Sequence, residues 1–74
     1  MKAVVWSKDQ CPNCDQAKAL LTLKGVDFEE RNISKGFTKE ELLAAVPNAR
    51  SVPQIFIDAD YIGGYQELKR FFKE

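Results

Sequence analysis

The sequence predicts an α/β fold, one four-stranded mixed sheet flanked by three helices in the order β-α-β-α-β-β-α. Three observations carry this. Short β-rich apolar runs alternate along the chain with segments of helical period. The last two strand segments are separated only by a turn, which makes them a hairpin. Seventy-four residues, 45% of them hydrophobic, are too few for two domains and enough for one small core, so a single domain over 1–74 is expected.

Ala3-Val4-Val5-Trp6 is apolar throughout and forms the first, buried strand. Ser7-Lys8-Asp9-Gln10 is a polar loop. Pro12 suits the first helical position, where its missing N–H costs nothing. Cys14, Ala17, Leu20 and Leu21 recur at helical spacing, and Lys24-Gly25 ends the helix with a cation and a glycine. A second strand lies within 27–33, where Val26-Asp27-Phe28-Glu29 alternates and Ile33 continues the pattern. A right-handed crossover makes the first two strands parallel.

Thr38 and Glu41 have the spacing of a capping box for the second helix, with Phe37 and Leu42 at the positions of a hydrophobic staple. Leu42, Leu43 and Val46 give its apolar face, and Pro47 ends it. Gln54-Ile55-Phe56-Ile57 is the third strand, Asp58-Ala59-Asp60 a turn, and Tyr61-Ile62 the fourth strand. Gly63-Gly64 breaks that strand and opens the last helix, whose apolar positions are Leu68, Phe71 and Phe72. Trp6, Phe28, Phe56, Phe71 and Phe72 are expected in the core.

Composition excludes several functions. Eleven Lys+Arg balance eleven Asp+Glu, so no excess positive charge draws the chain to nucleic acid or to an anionic membrane. No apolar run approaches the roughly 18 residues of a membrane span, and no secretory h-region follows Met1-Lys2. A soluble, cytoplasmic protein is expected.

The two cysteines, Cys11 and Cys14, are accompanied by no histidine. A structural zinc site takes four ligands, mostly Cys and His, which one such chain cannot supply without carboxylates or a second subunit. A disulfide between the two closes too short a loop to stabilise the fold much. The pair therefore reads as reactive. Cys11-Pro12-Asn13-Cys14 opens a helix directly after a strand, where ligands of α/β sheets bind. The helix N-terminus carries roughly half a positive charge, which favours a thiolate at Cys11. Cys11 is expected at an exposed position, and Cys14, one turn in, at a less exposed one. Asp9 and Asp15 stand close in sequence and oppose the thiolate.

Lys8, Cys11-Pro12-Asn13-Cys14, Ser51-Val52-Pro53-Gln54-Ile55-Phe56-Ile57 and Gly63-Gly64, in this order and spacing, resemble the glutaredoxin pattern over essentially all 74 residues. The resemblance implies a thioredoxin-like fold and glutathione-dependent thiol–disulfide exchange. Cys11 and Cys14 are then the catalytic pair, Cys11 attacking and Cys14 resolving. Glutathione is the reducing co-substrate, with no bound cofactor and no metal. Partners are disulfide-containing or glutathionylated proteins, of which ribonucleotide reductase is a common example, and the protein is a monomer.

The resemblance also implies a glutathione site. Lys8 stabilises the thiolate and meets a glutathione carboxylate. Pro53 is cis and faces the cysteines, exposing the Val52 backbone to pair with the substrate's cysteine like an added strand. Gly64, Tyr65 and Gln66 open the last helix, whose bare N–H groups dock the γ-glutamyl carboxylate. Of Arg31, Lys35, Lys39 and Arg50, Lys39 is best placed to help. Each residue also has a plainer reading: a solvated lysine, a proline that begins a strand, a glycine turn.

Three departures stand out. Asn13 replaces the usual tyrosine between the cysteines, Gln66 stands near where Asp, Ser or Thr is frequent, and Ser51 replaces a commoner threonine. Tyr65 is a candidate to supply the missing ring. The departures at Asn13 and Gln66 keep open a thioredoxin-like dithiol carrier reduced by a flavoprotein. A dimeric iron–sulfur or zinc module through Cys11, and a purely structural role, are the remaining alternatives.

Overall fold

The computed structural model describes residues 1–73. The elements are β1 (Lys2–Ser7), α1 (Pro12–Leu23), β2 (Asp27–Asn32), α2 (Lys39–Ala45), β3 (Gln54–Ile57), β4 (Asp60–Gly63) and α3 (Tyr65–Phe72). They form a four-stranded sheet in the order β2-β1-β3-β4. β1 runs parallel to β2 and antiparallel to β3, which is antiparallel to β4. The predicted fold class and element order are those observed.

Side chains alternate across the sheet, and each face has its own core. Ala3, Val5, Ile55 and Ile57 meet Ala17, Leu20 and Leu21 of α1 and Leu68 of α3. On the opposite face Trp6 packs with Leu42 of α2 and with Val46, and Phe37, Phe56 and Val52 lie against them. Leu21, Ile55 and Leu68 are fully buried, each contributing about 1.5–3 kcal/mol by leaving water.

The capping box of α2 is complete: Thr38 Oγ1 accepts the Glu41 N–H at 3.1 Å, and Glu41 Oε1 accepts the Thr38 N–H at 2.8 Å. Phe37 and Leu42 share one cluster, as a staple requires.

Three expectations need correction. β1 extends to Lys2 and Ser7, because β2 supplies a partner for each residue from Lys2↔Asp27 to Ser7↔Asn32. β4 likewise reaches Asp60 and Gly63, which pair with Ile57 and Ile55 across a register shift. Gly63 therefore ends the strand from inside it. The turn shrinks to Asp58-Ala59, both at positive φ (49° and 72°), as a tight two-residue hairpin demands. Phe71 is 45% exposed rather than core. Leu68 and Phe72 lie one turn apart on the inward side of α3, which rotates Phe71 outward, its ring edge-to-face on Phe72 at 5.1 Å. No described helix is long and apolar enough to cross a membrane.

Candidate active site

Cys11 is the N-cap of α1, in extended conformation, and its Sγ accepts the Cys14 N–H at 3.1 Å. Pro12 follows at the first helical position, as its fixed φ favours. The cysteines form a disulfide with Cα atoms 5.2 Å apart, within the usual range. Their relative burial is as expected, 7% exposure for Cys11 against 1% for Cys14, but Cys11 is not an exposed residue in this oxidised form. Its capping role turns the side chain back over the helix, where Val52 covers it.

The Val52–Pro53 peptide is cis, and Pro53 is buried. The Val52 carbonyl oxygen lies 3.8 Å from Cys11 Sγ. A disulfide sulfur has no proton to give, so this is a packing contact until the pair is reduced.

On one side of Val52 a cleft of about 200 Å³ has Leu42 and Leu43 in its wall and Lys8, Lys39 and Arg50 around it. Among the described residues none of these three cations has an ion-pair partner, so the cleft keeps its positive charge. Arg31 and Lys35 are drawn elsewhere. Arg31 pairs with Glu29 at 2.8 Å and stacks over Trp6, while Lys35 lies 3.6 Å from Asp9. Arg50 joins Lys39 here; sequence alone had no signal to separate it from other surface cations.

The acids near the cysteines are offset. Asp9 accepts from Asn32 Nδ2 at 3.1 Å and meets Lys35, and Asp15 lies 3.6 Å from Lys18. Beneath α1, Glu30 accepts from Lys18 Nζ at 2.8 Å and from the buried Ser7 hydroxyl at 2.7 Å. The Lys18 hydrogen bond and then that of Ser7 hold the Glu30 carboxyl below the ordinary carboxylate range. The same bond to Glu30 raises Lys18.

On the other side of the site, α3 begins with Gly64 as N-cap and Tyr65 and Gln66 in its first turn. A Cβ on Gly64 would stand 3.5 Å from the Pro53 carbonyl oxygen, so the head of α3 abuts the segment carrying Val52. Glu67, which sequence reading passed over, accepts the Gly64 N–H at 2.8 Å. Its place three residues after the N-cap was the available signal. Tyr65 does not replace the ring missing at Asn13. It packs half-buried against the core, with Lys69 over its face at 5.3 Å. Asn13 and Gln66 are exposed.

Gln54 was also missed, although a polar residue opening an apolar strand implies a partner. It is 7% exposed and hydrogen-bonded to both Ser51 and Tyr61. Among the described residues no group of three or more His, Cys, Asp or Glu is arranged to hold a metal.

Known proteins resemble the chain in sequence and fold. The glutaredoxin family model matches residues 3–62. Glutaredoxin 3 of Escherichia coli is 45% identical over 64 residues, 86% of this chain and 77% of that protein. Glutaredoxin 1 of the same organism is 36% identical over 81 residues, covering 100% of this chain and 95% of that one. Among solved structures, glutaredoxin 1 from Francisella tularensis, complexed with cacodylate, superposes with a TM-score of 0.83 at 28% identity, covering 97% and 92% of the two chains. A buckwheat glutaredoxin–glutathione complex gives 0.83 at 25% identity, over 96% and 67%. With its disulfide-linked pair at the head of α1, the chain belongs to the glutaredoxin family of dithiol thiol–disulfide oxidoreductases.

Proposed function

We propose that the chain reduces protein disulfides and glutathione mixed disulfides at the expense of glutathione. The observation that carries this reading is the position of Cys11. Its sulfur lies 3.8 Å from the Val52 carbonyl, with the cationic cleft on one side and the head of α3 on the other. Glutathione is a tripeptide with a carboxylate at each end and a thiol between. Its glycyl carboxylate suits Lys8, Lys39 and Arg50. Its γ-glutamyl carboxylate suits the Tyr65 and Gln66 N–H groups at the head of α3. The buckwheat relative in complex with glutathione supports the same choice of ligand.

The chemistry balances without a bound cofactor. The Cys11 thiolate attacks a substrate disulfide, and one substrate sulfur leaves as a thiolate. Cys14 then attacks Cys11 Sγ, expels the second thiol and leaves the Cys11–Cys14 disulfide. Two glutathione molecules reduce that bond and leave as one glutathione disulfide. A cysteine of ordinary pKa, about 8.5, is only ~3% thiolate at pH 7. Stabilising the thiolate gains less in attack than the ionised fraction suggests, because nucleophilicity falls with a Brønsted slope of about 0.4–0.5. The clearer advantage comes when glutathione attacks a Cys11 mixed disulfide and Cys11 is the leaving group.

Partners would be disulfide-containing or glutathionylated proteins, ribonucleotide reductase among the candidates, met by a monomer in the reducing cytoplasm. A coupled assay tests the reading, with glutathione and its reductase, or thioredoxin reductase, as sole electron source. Turnover with the first alone is expected. Turnover with the second alone would establish the dithiol-carrier reading, which the exposed Asn13 and the inward Tyr65 favour.

A further inference from the structure

Gln54 opens β3 with both ends of its side chain engaged. The Tyr61 hydroxyl donates to Gln54 Oε1 at 2.6 Å, and Gln54 Nε2 donates to the Ser51 carbonyl at 2.8 Å. The two contacts agree, since an amide whose oxygen takes the phenol proton leaves its NH₂ end for a carbonyl. The consequence lies one bond further along the chain. Ser51 C=O and Val52 N–H belong to one planar trans peptide unit and point in opposite directions. Holding the carbonyl toward Gln54 therefore aims the Val52 N–H away from it. Among the described residues that N–H has no acceptor, and no backbone–backbone hydrogen bond reaches residues 50–53. The Gln54 side chain thus supplies the hydrogen bond that ties Ser51 to the sheet.

We propose that Gln54 and Tyr61 are positioning residues, a relay that aims the Val52 N–H at the sulfur-bearing residue of an incoming disulfide. This rests on the reading that substrates pair with the Val52 backbone. Neither side chain is needed for this purpose by the sheet itself. The Gln54 backbone is already registered against Trp6, and the Tyr61 ring already rests on Phe56 at 5.4 Å. The hydroxyl and the amide are what reach toward the substrate-binding segment.

The experiment compares wild type, Tyr61→Phe and Gln54→Met in steady-state turnover of a glutathionylated peptide. Cys11 alkylation by iodoacetamide, which needs a thiolate but no backbone pairing, is measured alongside. Losing one hydrogen bond to the aligned peptide should raise KM about threefold to tenfold in Gln54→Met, and less in Tyr61→Phe. The alkylation rate and its pH midpoint should stay at wild-type values, and the Val52 amide resonance should move in both variants. An unchanged KM in folded Gln54→Met overturns the proposal. So does an alkylation rate that falls in step with turnover, because that marks a general loosening of the site. If wild type itself ignores the glutathionylated peptide, the glutathione reading fails. The three proteins are then compared on an internal-disulfide peptide with dithiothreitol as reductant, under the same criteria.

Discussion

The backbone N–H of Cys14 points at Cys11 Sγ from 3.1 Å. One cysteine thus contributes a main-chain donor to the other, independently of its own sulfur. In the thiolate form of reduced Cys11, that donor faces an anion at the positive end of α1.

It follows that replacing the second sulfur need not disarm the first. Cys14→Ser keeps the N–H, so it should retain a substantial part of the activity on glutathionylated substrates, where a second glutathione releases the first from Cys11. It should lose most reduction of internal protein disulfides, which require Cys14 to resolve the intermediate. Cys11→Ser should lose both activities, since a serine hydroxyl stays protonated and attacks sulfur poorly. Assaying each mutant on one substrate of each kind decides the matter; a folded Cys14→Ser inactive on both would contradict the assigned roles.

The cationic cleft should be read out by salt. Lys8→Ala, Lys39→Ala and Arg50→Ala are each expected to raise KM for glutathione by up to about fivefold, the range of an exposed ion pair. These differences should shrink as ionic strength approaches 1 M, where the Debye length is about 3 Å. Lys8→Ala should in addition lower the thiolate fraction of Cys11 at neutral pH, measured by its alkylation rate. Equal KM values for all four proteins at low salt would remove the cleft from the binding site.

Two glycines with positive φ should respond differently to alanine. Gly63 has φ +121°, and a Cβ there would stand 2.9 Å from Glu67 Cγ. Gly25 has φ +70° and open space around it. Gly63→Ala should therefore be the more destabilising, by about 1–3 kcal/mol in urea unfolding, because strain and a displaced helix cap combine. Gly25→Ala should show only the backbone cost. A reversed order would mean that the Glu67 cap contributes little.

Acid stability should report on Glu30. Its pKa lies below the ordinary 4.5 in the folded chain, first because Lys18 and then because Ser7 hydrogen-bonds the carboxylate. A depressed carboxyl pKa stabilises the fold above the unfolded value and loses that contribution as pH falls through the folded one. Lys18 is raised above 10.5 by the same contact, so its share is present below that value and lost in stronger alkali. Glu30→Gln should be less stable than wild type at neutral pH, and the gap should narrow below about pH 4. Parallel pH profiles would show the network to be energetically silent.

The chain's local grammar was enough for its elements and for the cysteine pair at the head of α1. Thr38 with Glu41, Pro12 after Cys11 and the apolar run at 55–57 are signals within a few residues, and each was realised. Strand lengths were harder, because Lys2 and Ser7 become strand only through partners far along the chain, and Gly63 through a register shift in its hairpin with Ile55. Phe71 misled because helical apolarity has a direction, and only packing against α1 decides it. The partners of Gln54, and the gathering of Lys8, Lys39 and Arg50 around one cleft, depend on three-dimensional proximity that no spacing encodes.

The strand order β2-β1-β3-β4 has a kinetic corollary. The β1-α1-β2 unit joins strands through pairs such as Lys2 with Asp27 and Ser7 with Asn32, whereas β3 must return across about twice that length of chain to pair Ile57 with Ala3 and Gln54 with Trp6. Contacts that close long loops are the slow ones. The helix that presents Cys11 belongs to the early unit, and Val52 arrives with the late strand. A newly made chain would then display the Cys11 sulfur before the Val52 segment proposed to receive substrates is in place, and the closing of β3 would bring the two together.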